Sequence, residues 1–576
     1  MRLCGAPNIP KMIRIPMAKR LIAAAALLAA CGLAQAQAQA PSDLKSAPSD
    51  LNEPTLYEFL LGEIAVQRGD FELAAKTYLD LAKRTGDARV ARRAVEVANQ
   101  GNLNDLALEA ARAWYDIEPT SAHALQVLGA MLVAAKRVDE AGPVLEKLLT
   151  AEGVNRENAF MQLNRLLAGN ADKATNLRVI RGLAAKYPQL PQAHFAVGQA
   201  AAIAGEDAAA VSAARQALAL RPDWELAAML EAQVLQKKSA AEAAKSLGAF
   251  VEKNPNAREA RLNYARVLVL DKRLPEARKQ FEAVANANPQ NPDVIYAVGL
   301  LAFQLKDYKA AEGYMKRVLS LSYRDPDAVR YLLGQIAEEQ KQWPQAIQYY
   351  DSIKSSDHEL PARMRTANAL AKQGKVDEAL VYLRRVADEH PDDEPQLIVA
   401  EAQILRDANR SQDAFKLLSQ ALDKQPDQPD ILYDLALTAE KLERFDLLET
   451  HLRKLIQVKP DHAHAYNALG YSFAERNIRL AEARKLIEKA LEISPEDYFI
   501  IDSLGWVLYR EGDLKGAARE LRRAYGGRPD AEIGAHLGEV LWTLGERDEA
   551  RRVWEESLKS GPDNETLQKT IKRLRK

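Results

Sequence analysis

Residues 190–223 read LPQAHFAVGQAAAIAGEDAAAVSAARQALALRPD, and the spacing within this stretch decides the fold. Gly198, Ala210 and Pro222 follow one another at equal intervals. Two small side chains at this spacing permit two helices to pack closely, and the proline ends the second helix. Gly205 lies between the small residues, where the first helix has to stop and reverse. The stretch therefore predicts a helix, a turn and a second helix.

The alanine of this pattern recurs about every 34 residues along almost the whole chain. It is found at Ala74, Ala107, Ala141, Ala210, Ala243, Ala277, Ala311, Ala346, Ala379, Ala414, Ala483, Ala517 and Ala550. The period predicts about fifteen helix-turn-helix units between Pro54 and Pro562. Two units deviate from it. The fourth, near Asn155 to Pro188, has a weak pattern, and the thirteenth carries an extra residue around Asn477 to Ala481.

The pattern resembles the tetratricopeptide repeat position by position, both in residues 190–223 and in residues 257–290, AREARLNYARVLVLDKRLPEARKQFEAVANANPQ. The resemblance implies an all-α fold, a right-handed superhelical solenoid in which each unit contacts only its neighbours. Residues 563–576 would then form a capping helix with a polar outer face. Basic side chains suit the C-terminal end of such a helix, and the alternative is a patch for an anionic partner. They are Lys569, Lys572, Arg573, Arg575 and Lys576.

The charge balance and the motifs restrict the function. The chain has 79 Lys and Arg against 80 Asp and Glu, without a basic stripe, so we expect no nucleic-acid partner. It contains no phosphate-binding loop, nucleophile elbow, H-E-x-x-H or C-x-x-C motif, which predicts neither an enzyme nor a bound cofactor. His462 and His464 could form half of a metal site, but a polar helix start is the favoured interpretation, and we expect no metal.

The N-terminus has a different composition. Lys19 and Arg20 precede an apolar run, Leu21 to Ala30, that is too short to span a membrane. This arrangement predicts a signal peptide over residues 1–30. Met17 is an alternative start, because MAKRLIAAAALLAAC is a compact leader by itself.

Leu28-Ala29-Ala30-Cys31 resembles the bacterial lipobox, whose cysteine becomes the lipidated first residue. No cysteine follows Cys31. A lipidated Cys31 would make residues 31–53 a flexible tether, and Gly32 after it implies the periplasmic face of the outer membrane. The alternative is ordinary cleavage after small residues, at Ala34-Gln35-Ala36 or Ala36-Gln37-Ala38, which would give a soluble periplasmic protein.

The inner wall of a solenoid of this family is made by the first helix of each unit, and positions 2, 5, 9 and 12 of that helix share one face. In the last three units, large aromatic and polar residues occupy these positions or lie beside them. They are Asn467, Tyr471, Phe499, Asp502, Trp506, Tyr509, Arg510 and Trp542. Tyr, Trp and Arg contribute strongly to protein binding, so we predict a partner-binding site here. The alternative is that some of them pack between helices.

Other units extend this inner face more thinly. Phe59, Tyr296, Tyr331 and Tyr433 stand at position 5 of their units. The clamp by which some members of the family bind C-terminal carboxylates requires a lysine at position 5 and an asparagine at position 9 of one unit. No unit has this pair, so we predict no such clamp.

The leader, tether, repeats and C-terminal segment together resemble a group of proteobacterial outer-membrane lipoproteins. The resemblance covers nearly the whole mature chain. It implies an adaptor for a periplasmic carboxyl-terminal processing protease, which would hold the protease and its substrates, chiefly peptidoglycan hydrolases, on one scaffold. Long repeat arrays also accompany polysaccharide synthesis and export, so a scaffold of that kind is the alternative.

Overall fold

The computed structural model describes residues 53–169, 172–354 and 357–575. Within these ranges the regular structure consists of thirty-one α-helices and two short 3-10 turns, and no residue lies in a strand. The all-α prediction is therefore confirmed. The chain divides after Lys238 into two compact bodies, which are described one at a time.

The first body contains eleven helices. They are α1 (Glu53–Gln67), α2 (Phe71–Thr85), α3 (Ala88–Gln100), α4 (Asn104–Ile117), α5 (Ala122–Ala134), α6 (Val138–Thr150), α7 (Arg156–Leu166), α8 (Lys173–Ala184), α9 (Pro191–Ala204), α10 (Asp207–Leu220) and α11 (Glu225–Gln236).

The second body contains twenty helices. They are α12 (Ala240–Lys253), α13 (Arg258–Leu270), α14 (Leu274–Ala287), α15 (Pro292–Gln304), α16 (Tyr308–Ser320), α17 (Pro326–Glu339), α18 (Trp343–Asp351), α19 (Glu359–Lys372), α20 (Val376–Glu389), α21 (Glu394–Asp407), α22 (Ser411–Lys424), α23 (Pro429–Lys441), α24 (Phe445–Val458), α25 (Ala463–Glu475), α26 (Leu480–Ile493), α27 (Tyr498–Glu511), α28 (Leu514–Gly527), α29 (Ala531–Leu544), α30 (Arg547–Ser560) and α31 (Glu565–Leu574).

Counted along the chain, α1 to α30 make fifteen successive helix pairs, and α31 follows the last of them. Five of these helix-turn-helix units lie within the first body and nine within the second, and the division after Lys238 falls inside the sixth pair, α11 and α12. In most units the turn passes through a left-handed backbone conformation, with φ of 82° at Gly205 and 92° at Gly512. Glycine adopts this conformation without steric cost, whereas asparagine or lysine takes it at Asn102 and Lys306. The turns predicted from glycine are therefore only part of a wider set.

The glycine on the first helix of a unit accommodates a large side chain from the second helix. A Cβ added to Gly62 would lie 2.6 Å from the ring of Tyr78, and one added to Gly470 would lie 2.7 Å from the side chain of Ile487. Gly334 faces the fully buried ring of Tyr350 in the same way. The glycine thus leaves room for a bulky side chain, and it also lets the backbones of the two helices approach closely.

Gly334→Ala is expected to destabilise the second body by about 1–3 kcal/mol, because the new methyl group would overlap the ring of Tyr350, which has no room to move. Gly313→Ala is the matched control. It lies within α16, where an added Cβ meets nothing within 4 Å, so it should stabilise the helix by about 0.5–1 kcal/mol. Urea denaturation of both variants checks the difference, and equal effects would contradict this packing.

The two units with weak or altered patterns depart from the regular hairpin. In the fourth unit, α7 packs against α9, and the Nδ2 of Asn164 on α7 donates to the carbonyl of Ala196 on α9 at 2.9 Å. In the thirteenth unit, Asn477 and Arg479 both have positive φ. The left-handed conformation at these two positions accommodates the extra residue between α25 and α26.

The predicted leader, the lipidation site at Cys31 and the tether as far as residue 52 lie outside the described residues. Among the described helices, none combines the length and the apolar character that crossing a bilayer requires.

Candidate partner-binding site

The candidate residues lie on α25, α27 and α29, the first helices of the thirteenth, fourteenth and fifteenth units. Each of these helices packs beside the next. Asn467, Tyr471 and Glu475 are four residues apart, so they form one stripe along α25. The structure brings this stripe together with side chains of α27 and α29.

A buried ion pair joins the fourteenth unit to the fifteenth. The Nδ1 of His536 lies 3.0 and 2.9 Å from the two carboxylate oxygens of Asp502, and both side chains are buried. Burial disfavours the imidazolium, but the carboxylates of Asp502, Glu532 and Glu475 outweigh it and raise the pKa of His536 to about 9. His536 is therefore a cation at neutral pH.

Trp506 is buried where the thirteenth, fourteenth and fifteenth units meet. It is only 5% exposed, its ring stacks on His536 with 4.3 Å between centroids, and its Nε1 donates to the Oε2 of Glu475 at 2.8 Å. Nearly all of its surface is thus used within the chain. A partner can therefore contact little of Trp506, whose main effect is to position Glu475 and His536.

Tyr509 and Arg510 also connect neighbouring units, although both remain partly exposed. The hydroxyl of Tyr509 donates to the Oε1 of Glu539 on α29 at 3.3 Å. The Nε and Nη2 of Arg510 donate to the carbonyls of Ala474 and Glu475 at 3.1 and 3.0 Å. Arg510 therefore satisfies carbonyl groups at the C-terminal end of α25.

Phe499 and Trp542 lie in other clusters. Phe499, on the first turn of α27, packs under the guanidinium of Arg528 with 4.7 Å to its ring centroid. Trp542 packs on Trp554 within its own hairpin at 5.5 Å between centroids, and Arg547 covers it. The candidate residues therefore do not form one continuous surface. Those that come together are Tyr471, Asp502, Trp506, Tyr509 and Arg510.

Tyr471 is partly exposed and lies among carboxylates from four units. Burial, followed by the charges of Glu475, Glu532, Asp502 and Glu440, raises its pKa well above the ordinary value. Asn467 precedes it by one turn and is 4% exposed, and its Oδ1 has no hydrogen-bond partner in the described part of the chain. The surface around Tyr471 is consequently acidic and contains an acceptor without a donor.

The aromatic residues at position 5 of other units have a structural role that the sequence analysis missed. Three of the four lie against an aromatic or histidine ring in the segment that follows the second helix of their own unit. The pairs are Tyr296 with Tyr323 at 5.1 Å, Tyr331 with His358 at 5.3 Å, and Tyr433 with His462 at 5.3 Å between centroids. Phe59 packs edge-on against Tyr78 at 5.6 Å and stays 37% exposed.

The histidines considered for a metal site begin a helix. The Nδ1 of His462 accepts a hydrogen bond from the backbone N–H of Ala465 at 3.1 Å, so His462 is the N-cap of α25. The Nε2 of His464 lies 3.8 Å from the carboxylate of Asp497. The described residues contain no group of three or more side chains arranged to hold a metal ion.

Sequence reasoning missed His536, Glu475 and Glu539, the residues that hold the aromatic side chains in place. One signal was available, because Asp502 and His536 occupy the same helix position one repeat period apart. Equivalent positions of adjacent units are neighbours in a stacked repeat. An acid and a histidine at one period could therefore have been predicted to pair.

Comparison with protein families identifies the repeats independently. A family model described as Tetratricopeptide repeat matches residues 234–301, and a second model of the same description matches residues 59–122, 399–447 and 449–498. A model described as Anaphase-promoting complex, cyclosome, subunit 3 matches residues 306–386. None of the three is described as an enzyme.

Known relatives agree with these matches. The TPR repeat-containing protein PA4667 of Pseudomonas aeruginosa is 33% identical over 524 residues, which is 91% of this chain and 88% of that protein. The TPR repeat-containing protein YpiA of Bacillus subtilis is 21% identical over 52% of this chain and 71% of its own length. A solved structure of TTC0263, a TPR protein of Thermus thermophilus, covers 31% of this chain and 98% of its own, with 23% identity and a TM-score of 0.29. The chain belongs to the tetratricopeptide-repeat proteins, whose repeats indicate a scaffold for protein–protein interaction.

Proposed function

We propose that the chain is a non-catalytic adaptor at the periplasmic face of the outer membrane, anchored through Cys31. It holds a carboxyl-terminal processing protease together with substrates such as peptidoglycan hydrolases. The observation that carries the adaptor role is the inner face of the C-terminal units, where partly exposed aromatic side chains and carboxylates are fixed by a buried ion pair. A preorganised surface of this kind costs little conformational entropy when a partner binds.

An adaptor of this kind acts through proximity. Two partners bound to one chain meet at an effective concentration that reaches the millimolar range for short connections, and no catalytic residue of the adaptor is required. Fifteen units provide enough surface for two separate binding regions. The lipid anchor would restrict both partners to the membrane that faces the cell wall.

The test is capture of partners from an envelope extract. The mature chain, residues 31–576, is compared with a Tyr471→Ala/Tyr509→Ala variant and with a control, Tyr115→Ala/Tyr187→Ala, whose partly buried tyrosines lie in the first body. After a salt wash, mass spectrometry is expected to find the protease and cell-wall hydrolases on the wild type and the control, and a severalfold loss of at least one partner on the site variant.

Three results would change the proposal. Polysaccharide-export proteins without a protease would favour the alternative scaffold. Partners retained in full by the site variant, with helicity unchanged by circular dichroism, would place the binding surface on other units. An equal loss in the control variant would mean that the tyrosines act through stability instead of contact.

A further inference from the structure

Carboxylates from the twelfth, thirteenth and fifteenth units lie around Tyr471 on the inner face. Glu440 comes from the end of α23, Glu475 from the end of α25 and Glu532 from the start of α29. Burial raises the pKa of Glu440, and the charges of Glu475 and Glu532 raise it further, while Arg476 opposes them. These carboxylates are therefore close enough to repel one another across the face that contains the Tyr471 ring.

The chain's own cations near this face already have other partners. His536 pairs with Asp502, and Arg476 donates to the carbonyl and the hydroxyl of Ser472. Arg510 donates to backbone carbonyls, and the Nη2 of Arg573 donates to Glu539 at 2.5 Å. Glu475 accepts from the Nε1 of Trp506, which is a neutral donor. Within the described residues Glu532 makes no ion pair, so the face keeps an excess of negative charge.

Asn467 provides a second observation that points to a ligand. Its side chain is almost completely buried, and its Oδ1 has no donor in the described part of the chain. A buried acceptor without a partner costs about 1–3 kcal/mol, and such a cost is acceptable where a ligand supplies the donor. Asn467 lies one helical turn from Tyr471 on the same stripe of α25, so the missing donor is expected beside the tyrosine ring.

We propose that this face binds an arginine side chain of an extended basic segment in a partner protein. The guanidinium stacks on the partly exposed ring of Tyr471, and its N–H groups donate to Glu440, Glu475 and Glu532. Asn467 accepts a further N–H from the bound segment. Arginine fits better than lysine because its planar fork both stacks and donates in several directions. The inference rests on the proposed function, since it takes the ligand to be a protein, and it specifies the chemistry of that protein.

The test uses the purified mature chain and two fluorescein-labelled peptides, GSGRGRGSG and the same peptide with citrulline at both arginine positions. Citrulline preserves the shape and removes the charge. Fluorescence anisotropy is expected to show at least tenfold tighter binding of the arginine peptide. Glu440→Gln/Glu532→Gln is expected to weaken that binding about tenfold, and Tyr471→Leu to weaken it severalfold.

Glu555→Gln/Glu556→Gln is the matched control, because these exposed carboxylates on α30 carry the same charge at a different place. It should leave binding unchanged. Equal affinity for both peptides would overturn the proposal, and so would an equal loss in the control, since that would indicate attraction to overall charge. Neither result depends on the capture experiment. An adaptor that captures its protease but does not distinguish the peptides retains the proposed function and loses this site.

Discussion

Asp502→Ala is expected to lose about 3–5 kcal/mol of unfolding free energy in the C-terminal repeats. The carboxylate of Asp502 lies 2.9 Å from the Nδ1 of His536, and both groups are buried. Removing the carboxylate would leave the imidazolium in a low-dielectric environment without a counter-charge. The loss should be largest in α27 and α29, which the pair joins. Hydrogen exchange of these helices, together with urea denaturation, measures it.

A double variant separates the cost of breaking the pair from the net value of having it. Asp502→Leu with His536→Phe replaces both charges by apolar groups of similar size and preserves a ring to stack on Trp506. Such replacements are often neutral or stabilising, so the double variant should lie within about 1 kcal/mol of the wild type or above it. An Asp502→Ala loss below about 1 kcal/mol would contradict the assigned role of the pair.

The same pair gives the wild type a pH dependence of known sign. The folded-state pKa of His536 is about 9, against about 6.5 for an unperturbed histidine. A raised pKa means that the stabilisation is complete below pH ~6.5 and is lost as the pH rises through ~9. The C-terminal repeats should lose about 3 kcal/mol across this interval, whereas the Leu/Phe double variant should show no such step.

The repeat architecture could be predicted from sequence because small residues and prolines act through local geometry. A glycine on one helix and a proline after the next have the same effect in every unit, so Gly198 and Pro222 are informative without knowledge of their neighbours. The two irregular units could also be recognised from the sequence, but their backbone conformation could not. The extra residue of the thirteenth unit is absorbed by two left-handed residues, Asn477 and Arg479, which no simple turn signal indicates.

The candidate site was harder to predict because the exposure of each of its side chains depends on tertiary contacts. Trp506 occupies an inner-wall position, yet His536 covers its face and Glu475 binds its edge. Trp542 lies on the first helix of the next unit, but its ring packs on Trp554 of its own hairpin. Helical spacing shows which face a side chain is on, whereas its exposure depends on the side chains that pack on it, from its own unit or from a neighbouring one. Only tertiary contacts supply that second fact.

A variant that ends at Pro562 is expected to lose about 4 kcal/mol of stability in the fifteenth unit. It would lack α31, in which Leu567 is fully buried and Ile571 and Leu574 pack against the cluster of α29 and α30. Burial of one large aliphatic side chain contributes about 1.5–3 kcal/mol, and two partly buried ones contribute less. The truncation would also leave the buried carboxylate of Glu539 without Arg573.

Hydrogen exchange locates the effect of this truncation, because the opened region should comprise α29 and α30 and spread toward α27. Leu567→Ala is the graded variant and should cost about 2–5 kcal/mol through the cavity it creates. Lys572→Ala, on the exposed face of α31, is the control and should stay within about 0.5 kcal/mol of the wild type. If α29 and α30 remained as protected in the truncated chain as in the wild type, the buried face of α31 would have no stabilising role. The remaining role of α31 would then be to supply Arg573, which donates to Glu539. The carboxylate of Glu539 in turn accepts a hydrogen bond from Tyr509 and so holds that side chain in place.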